Sequence, residues 1–336
     1  MRLSLPWLAL VVVSQLLLPW AAAQQRPRMG LCITGQLMRM ELWSKLVNLV
    51  RPNMHDYDMD VLFVLDPESN LAVNERRNKG LPSTVLNESD LVAHVSRFCP
   101  TCTTSVDFYT QPKKPVVAHN YVLDLDKGPR NFTAVRANRA MVHARLFHSW
   151  SRCLAGFTRD PKADYDVFVR VRDDLVFPMP IAITRDMWED AVAVMDFCGW
   201  TGFNDKAALV DAKFAHQYFV NPLSNMLLYY DQLRSMLPII KNPESVLRAS
   251  LLFDRVPARL LGVDQFPFLV TRRKQDGSIC FADSVPKVGP QMSCIAPAVR
   301  TFFQRFRCAQ KTGMPDTADW WTSDKPGQFI SQQQQP

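Results

Sequence analysis

Asp166-Val167-Phe168-Val169-Arg170-Val171-Arg172-Asp173-Asp174 is the most strand-like run in the chain, and the fold turns on it. Alternation along an extended backbone puts Val167, Val169 and Val171 on one face and Phe168, Arg170 and Arg172 on the other. If the extended geometry continues, Asp174 joins the arginine face. Burying guanidinium groups and a carboxylate is costly unless they are paired, and the carboxyl end of a strand in an open parallel sheet is where ligands bind. The run therefore reads as a strand of the main sheet with a charged site at its end.

Working outward, Met29-Gly30-Leu31-Cys32-Ile33-Thr34-Gly35 is a short apolar run ending in glycine, as expected of a buried parallel strand. Leu42, Leu46, Leu49 and Val50 then fall at helical spacing before Pro52, and residues 60–66 form a second apolar run closed by Pro67. Strand, helix, strand predicts a right-handed parallel unit. Residues 67–88 read as a polar loop, 90–98 as a short helix and 105–109 as a third strand. Residues 111–130, with three prolines and a glycine, read as an irregular connection. Residues 134–154 are helical in pattern, and His143 and His148 within them read as packed or solvated. Residues 187–197 suggest a passage from helix to strand, 226–237 and 244–253 suggest helices punctuated by Pro238 and Pro243, and 266–270 a last strand. The fold class is α/β, a mostly parallel sheet flanked by helices over residues 28–275. An irregular, cysteine-containing extension is expected over 276–336.

Composition agrees with a globular chain. Of 336 residues 47% are apolar and 21% charged, which excludes disordered, collagenous and coiled-coil classes and a bundle of membrane spans. Lys plus Arg number 39 against 32 acids, a net charge of +7 that suits an anionic small ligand. The only dense basic run, Arg272-Arg273-Lys274, is too short to suggest nucleic acid as a partner.

Residues 1–23 have one positive charge at Arg2, an interrupted apolar stretch and three alanines before Gln24, the layout of a signal peptide cleaved after Ala23. The alternative is an uncleaved signal anchor, making a single-pass type II membrane protein. Either way the domain would fold in the ER or Golgi lumen or be secreted, where thiols pair. Of the eight cysteines, Cys32 lies in a predicted buried strand and reads as a free, inert thiol. Cys99 and Cys102 follow a helix-like segment, which favours a local loop staple over a redox motif. No spacing suggests structural zinc. Asn87-Glu88-Ser89 and Asn131-Phe132-Thr133 are glycosylation sequons, with Asn87 and Asn131 as acceptors.

Asp173, Asp174 and Asp205 supply the hard oxygen donors that Mn2+ or Mg2+ prefers. Arg39, Arg170 and Arg172 offer planar donors to phosphate or to the ion pairs that align these aspartates. Cys198-Gly199-Trp200-Thr201-Gly202-Phe203-Asn204-Asp205-Lys206 reads as a tight loop that fixes a carboxylate. Each feature also has a purely structural reading: Asp173 and Asp174 as loop caps, Asp205 as a turn former, Trp200 as core.

Four features in order resemble a group of poorly characterised GT-A-like glycosyltransferases of the secretory pathway. They are Gly35-Gln36-Leu37-Met38-Arg39 after the first strand, Arg170-Val171-Arg172-Asp173-Asp174, Asn204-Asp205-Lys206-Ala207-Ala208, and Pro243-Glu244 opening a late helix. The resemblance covers most of residues 29–272. It implies a GT-A-like fold and transfer of a sugar from a nucleotide-sugar donor to a hydroxyl of a glycan, protein or lipid. It also implies donor binding by Gly35, Gln36, Arg39, Arg170, Arg172 and Asp173, and a metal at Asp174 assisted by Asp173. Asp205 would orient the acceptor or act as base, with Trp200, Lys206 and Glu244 in support. The Asp-x-Asp spacing of GT-A enzymes is absent, since here the two acids are adjacent. The alternatives are a non-catalytic carbohydrate- or nucleotide-binding protein on the same fold and a metal-dependent phosphoryl-transfer enzyme.

Overall fold

A computed structural model describes residues 26–37, 40–67, 86–112, 114–125, 133–196, 202–237, 239–262, 264–273 and 279–281. Strand β1 (Arg28–Gln36) leads to helix α1, residues 43–53, whose middle turn is a π turn (Leu46–Val50), and then to β2 (Asp58–Asp66). Helix α2 (Glu88–Phe98) opens with Asn87 in a capping box with Asp90 and leads into β3 (Thr103–Phe108). The connection expected to be irregular contains a short helix, α3 (His119–Asp124), before the long α4 (Thr133–Phe157). Strand β4 (Val167–Arg172) is the decisive run.

Next come β5 (Leu175–Val176), α5 (Arg185–Trp188), β6 (Val192–Met195) and β7 (Ala207–Asp211). Helices α6 (Ala215–Phe219), α7 (Asn221–Leu228), α8 (Tyr230–Met236) and α9 (Pro243–Phe253) follow. The chain then forms β8 (Ala258–Leu261), β9 (Leu269–Arg273) and β10 (Ile279–Phe281). The helix expected over 226–237 is two helices that meet at Tyr229. Strand β10 lies past the expected boundary at residue 275 and pairs with β9.

The main sheet has seven strands in the order β3-β2-β1-β4-β7-β6-β8, and β7 alone runs against the rest. It is a mixed α/β architecture with a mostly parallel sheet between two helical layers. On one face Leu31, Ile33, Val61, Phe63, Val169 and Val171 pack with Leu46 and Leu49 of α1 and Leu91 and Val95 of α2. On the other, Leu62, Val64 and Phe168 pack with Phe147 and Trp150 of α4 and with α6 to α9. The alternation of apolar side chains to both faces is why these strands read as nearly continuous hydrophobic runs.

Cys32 is not a free thiol. It is bonded to Cys153 of α4, with Cα atoms 5.9 Å apart and both side chains fully buried. Strand alternation turns Cys32 towards the helix, and the partners lie 121 residues apart, a separation at which spacing carries no signal. Cys99 and Cys102 form the expected local staple. Among the described residues no helix is long and apolar enough to cross a membrane. Residues 1–23, Asn131 and the cysteines at 198, 294 and 308 lie outside the described residues. Asn87 is exposed, and its side-chain oxygen accepts from Asp90 N at 3.0 Å and Ser89 Oγ at 2.5 Å.

Candidate functional site

The strand order reverses between β1 and β4, so their carboxyl ends lead into different loops, the position at which open α/β sheets usually place a ligand. Thr34 is the register partner of Arg172, as Cys32 is of Arg170. Because β7 is antiparallel, its beginning lies at this same edge: Arg172 N donates to Lys206 O at 3.0 Å. One edge therefore collects the end of β1, the end of β4 and the loop before β7.

Gly35 adopts φ +145°, open to glycine and strained for other residues, and a Cβ there would sit 2.2 Å from Asp173 Cγ. The glycine makes room for Asp173, whose Oδ2 accepts from Gln36 N at 3.0 Å and whose own N donates to Thr34 O at 2.8 Å. Asp173 is fully buried and ties β4 to β1.

Beneath this turn lies Lys45 of α1, fully buried and not foreseen from the sequence. Its Nζ donates to Glu41 O at 2.5 Å, Asp173 O at 2.9 Å and Leu175 O at 2.6 Å, and stands 3.7 Å from Glu41 Oε2. Burial pushes the Lys45 ammonium below its ordinary range, while Glu41, Asp173 and Asp174 pull it back. A lysine on an amphipathic helix normally reads as a solvated position. Here its three donors hold the backbone on both sides of Asp174.

Arg172 and Asp174 form a forked pair, Nε to Oδ1 at 2.9 Å and Nη2 to Oδ2 at 2.5 Å. Arg172 Nη1 is also 4.0 Å from Asp205 Oδ2, an ion-pair distance too long for a hydrogen bond. Burial works against the Arg172 charge, but Asp174 and Asp205 outweigh it and hold the guanidinium above its usual range. Arg170, expected to serve an anionic donor, lies elsewhere. It is fully buried, with its guanidinium 4.3 Å over the Trp150 ring, Nε bonded to Tyr218 OH at 3.0 Å and Nη2 to the Asp205 carbonyl. It supports the loop from below because alternation points it at the aromatic side of α4 and α6.

Asp205 Oδ1 accepts from Lys206 Nζ at 2.8 Å, and the same ammonium lies 3.3 Å from Glu244 Oε1. Asn242 caps α9 through Ser245 N, which fixes its first turn and so Glu244. Phe203 N donates to Glu244 O at 3.0 Å, and a Cβ on Gly202 would fall 2.0 Å from that carbonyl, so loop and helix lie backbone to backbone. Burial raises the Asp205 carboxyl, but Lys206 and Arg172 overcome it and hold Asp205 well below the usual carboxylate range. Glu244 goes the other way, pushed up to about 7 by burial and the Asp205 charge against the pull of Lys206. Nearby, Tyr121 OH lies 2.5 Å from His143 Nδ1, and burial and Arg139 push His143 down to about 3, so it is neutral.

Side-chain exposures give the cluster a polarity. Arg172 and Lys206 are 16% and 12% exposed, whereas Asp174, Asp205 and Glu244 are 1%, 7% and 9%. The donor set does not suit a divalent metal: both oxygens of Asp174 are taken by Arg172, and Asp205 lies between Lys206 and Arg172. Among the described residues no three His, Cys, Asp or Glu side chains gather as ligands. Arg39 and Trp200 lie outside the described residues. No family model matches this chain, and no curated protein matches it.

Proposed function

We propose that the protein is a glycosyltransferase that takes a nucleotide-sugar donor at the carboxyl ends of β1 and β4 and passes the sugar to a hydroxyl acceptor. The observation that carries this reading is the pair of cations at the strand-order reversal, Arg172 held by Asp174 and Lys206 held by Asp205, with Glu244, a carboxylate of near-neutral pKa, beside them. In the transfer, the bond between the anomeric carbon and the diphosphate oxygen breaks and its electron pair leaves with the nucleoside diphosphate. The acceptor oxygen bonds to that carbon and gives up its proton. Arg172 and Lys206 stabilise the departing charge. Glu244 takes the proton, since a pKa of about 7 suits proton transfer better than that of Asp205, which stays ionised and holds the two cations in place.

A GT-A-like identity for the fold agrees with the parallel β3-β2-β1-β4 half of the sheet. The secretory pathway is the proposed compartment, supported by the apolar leader, the two disulfides and the exposed Asn87 sequon. Loss of mass on endoglycosidase treatment of protein from secreting cells tests the compartment. A thermal-shift panel of nucleotide-sugars tests the function: stabilisation by one donor class, abolished in Lys206→Gln, is the expected result. Stabilisation without any transfer or hydrolysis of the donor would move the assignment to a non-catalytic binding protein, a reading favoured by how completely the carboxylates are already paired.

A further inference from the structure

We infer that Arg172 and Lys206 do the work of a divalent cation here, so that the site takes the diphosphate of a nucleotide ligand without metal. The inference rests on the glycosyltransferase reading and concerns how its leaving group is held. The guanidinium of Arg172 occupies the space between Asp174 and Asp205 where a metal bridging those carboxylates would sit, and it is fixed there by two hydrogen bonds.

The donors needed for an anion remain. Arg172 uses Nε and one hydrogen of Nη2 on Asp174, and its Nη1 makes no hydrogen bond to a described residue, which leaves one edge of the planar fork to face a phosphate. Lys206 commits two of its three hydrogens to Asp205 and Glu244.

A second observation points to the same edge. Thr34 Oγ1 and Gln36 Oε1 are buried there without a hydrogen-bond partner among the described residues, with Thr34 and Gln36 only 1% and 4% exposed. Thr34 is beside Arg172 in register, and neighbouring strands lie about 4.8 Å apart. A polar ligand bound across β1 and β4 would satisfy atoms whose isolation is otherwise costly.

The test is calorimetric titration of the full-length protein with UDP, GDP and inorganic pyrophosphate, each in EDTA and in MnCl2. The expected result is a dissociation constant for one nucleoside diphosphate that differs less than threefold between the two buffers and rises at least tenfold in Lys206→Gln. Arg172→Gln leaves Asp174 buried and unpaired, so the paired variant Arg172→Gln/Asp174→Asn, which removes both charges, serves as the folded control and should show the same loss. Binding that disappears in EDTA and returns with manganese overturns the inference and leaves the glycosyltransferase reading standing. Binding of pyrophosphate but of neither nucleoside diphosphate overturns the inference, since the site then takes a diphosphate without its nucleoside, and overturns the glycosyltransferase reading with it. No binding in either buffer overturns both.

Discussion

Glu244 shares a buried ammonium with Asp205: Lys206 Nζ lies 3.3 Å from Glu244 Oε1 and 2.8 Å from Asp205 Oδ1. The two carboxyls are driven apart by this arrangement, Asp205 ionised and Glu244 titrating near 7. Such splitting lets one acid hold a charge while its neighbour exchanges a proton.

The split has a stability signature. Glu244 moves from 4.5 in the unfolded chain to about 7 in the fold, so the native state binds this proton more tightly. The stability it contributes is complete below pH 4.5 and is lost as pH rises through 7, by roughly 3 kcal/mol at most. His143, lowered from 6.5 to about 3, acts in the opposite sense: its contribution is present above pH 6.5 and lost as pH falls towards 3. Urea melts at pH 5 and pH 8 should show Glu244→Gln losing less stability over that interval than the parent. Parallel profiles would mean Glu244 is not perturbed.

Lys45→Met should destabilise the protein by about 3–5 kcal/mol, because it removes the ammonium donor from the carbonyls of Glu41, Asp173 and Leu175, of which Asp173 O keeps Glu41 N, and leaves Glu41 buried without its cation. Adding Glu41→Gln should recover part of the loss. Chemical denaturation of the single and double variants reads both numbers, and additive losses would contradict the pairing.

Gly35→Ala should cost about 2–4 kcal/mol through backbone strain and the clash with Asp173. Asp173→Ala in the same chain relieves the contacts with Cγ and Oδ1 but keeps the Cβ at 2.8 Å and the backbone strain, so the double variant should be less impaired than additivity predicts. Thermal unfolding of the four-member cycle measures the coupling.

Peptide mapping without reductant should recover Cys32 linked to Cys153 and Cys99 linked to Cys102. Replacing both Cys32 and Cys153 with alanine should cost about 4 kcal/mol, mostly by freeing a long loop in the unfolded chain. A variant as stable as the parent would show that the bond contributes little beyond packing.

Much of the architecture could be read from residue patterns. The β1–α1–β2 unit and the strand at 167–172 each carry a clear period, and the long α4 falls where residues 134–154 read as helical. Alternation also put Arg170 and Arg172 on one face. It did not say that Arg170 would fold under Trp150 and Tyr218, because that depends on which helices cover the strand. The antiparallel sense of β7 was not legible, since a five-residue apolar run has no direction. Lys45 and Tyr121 were missed for a related reason: apart from Glu41, four residues from Lys45, the partners that make them informative lie 22 to 130 residues away.

The reversal of β7 also determines where this protein can change. In the parallel strands the segments leading in lie at the far edge of the sheet. For β7 the incoming segment lies at the same edge as the ends of β1 and β4, and its backbone is strapped to the first turn of α9. Lengthening or shortening the chain between β6 and β7 would therefore reshape this edge and shift Glu244 with it, while the order of the strands and the Arg172 guanidinium stayed as they are. The side chains gathered at this edge can thus change through one connection without disturbing the core.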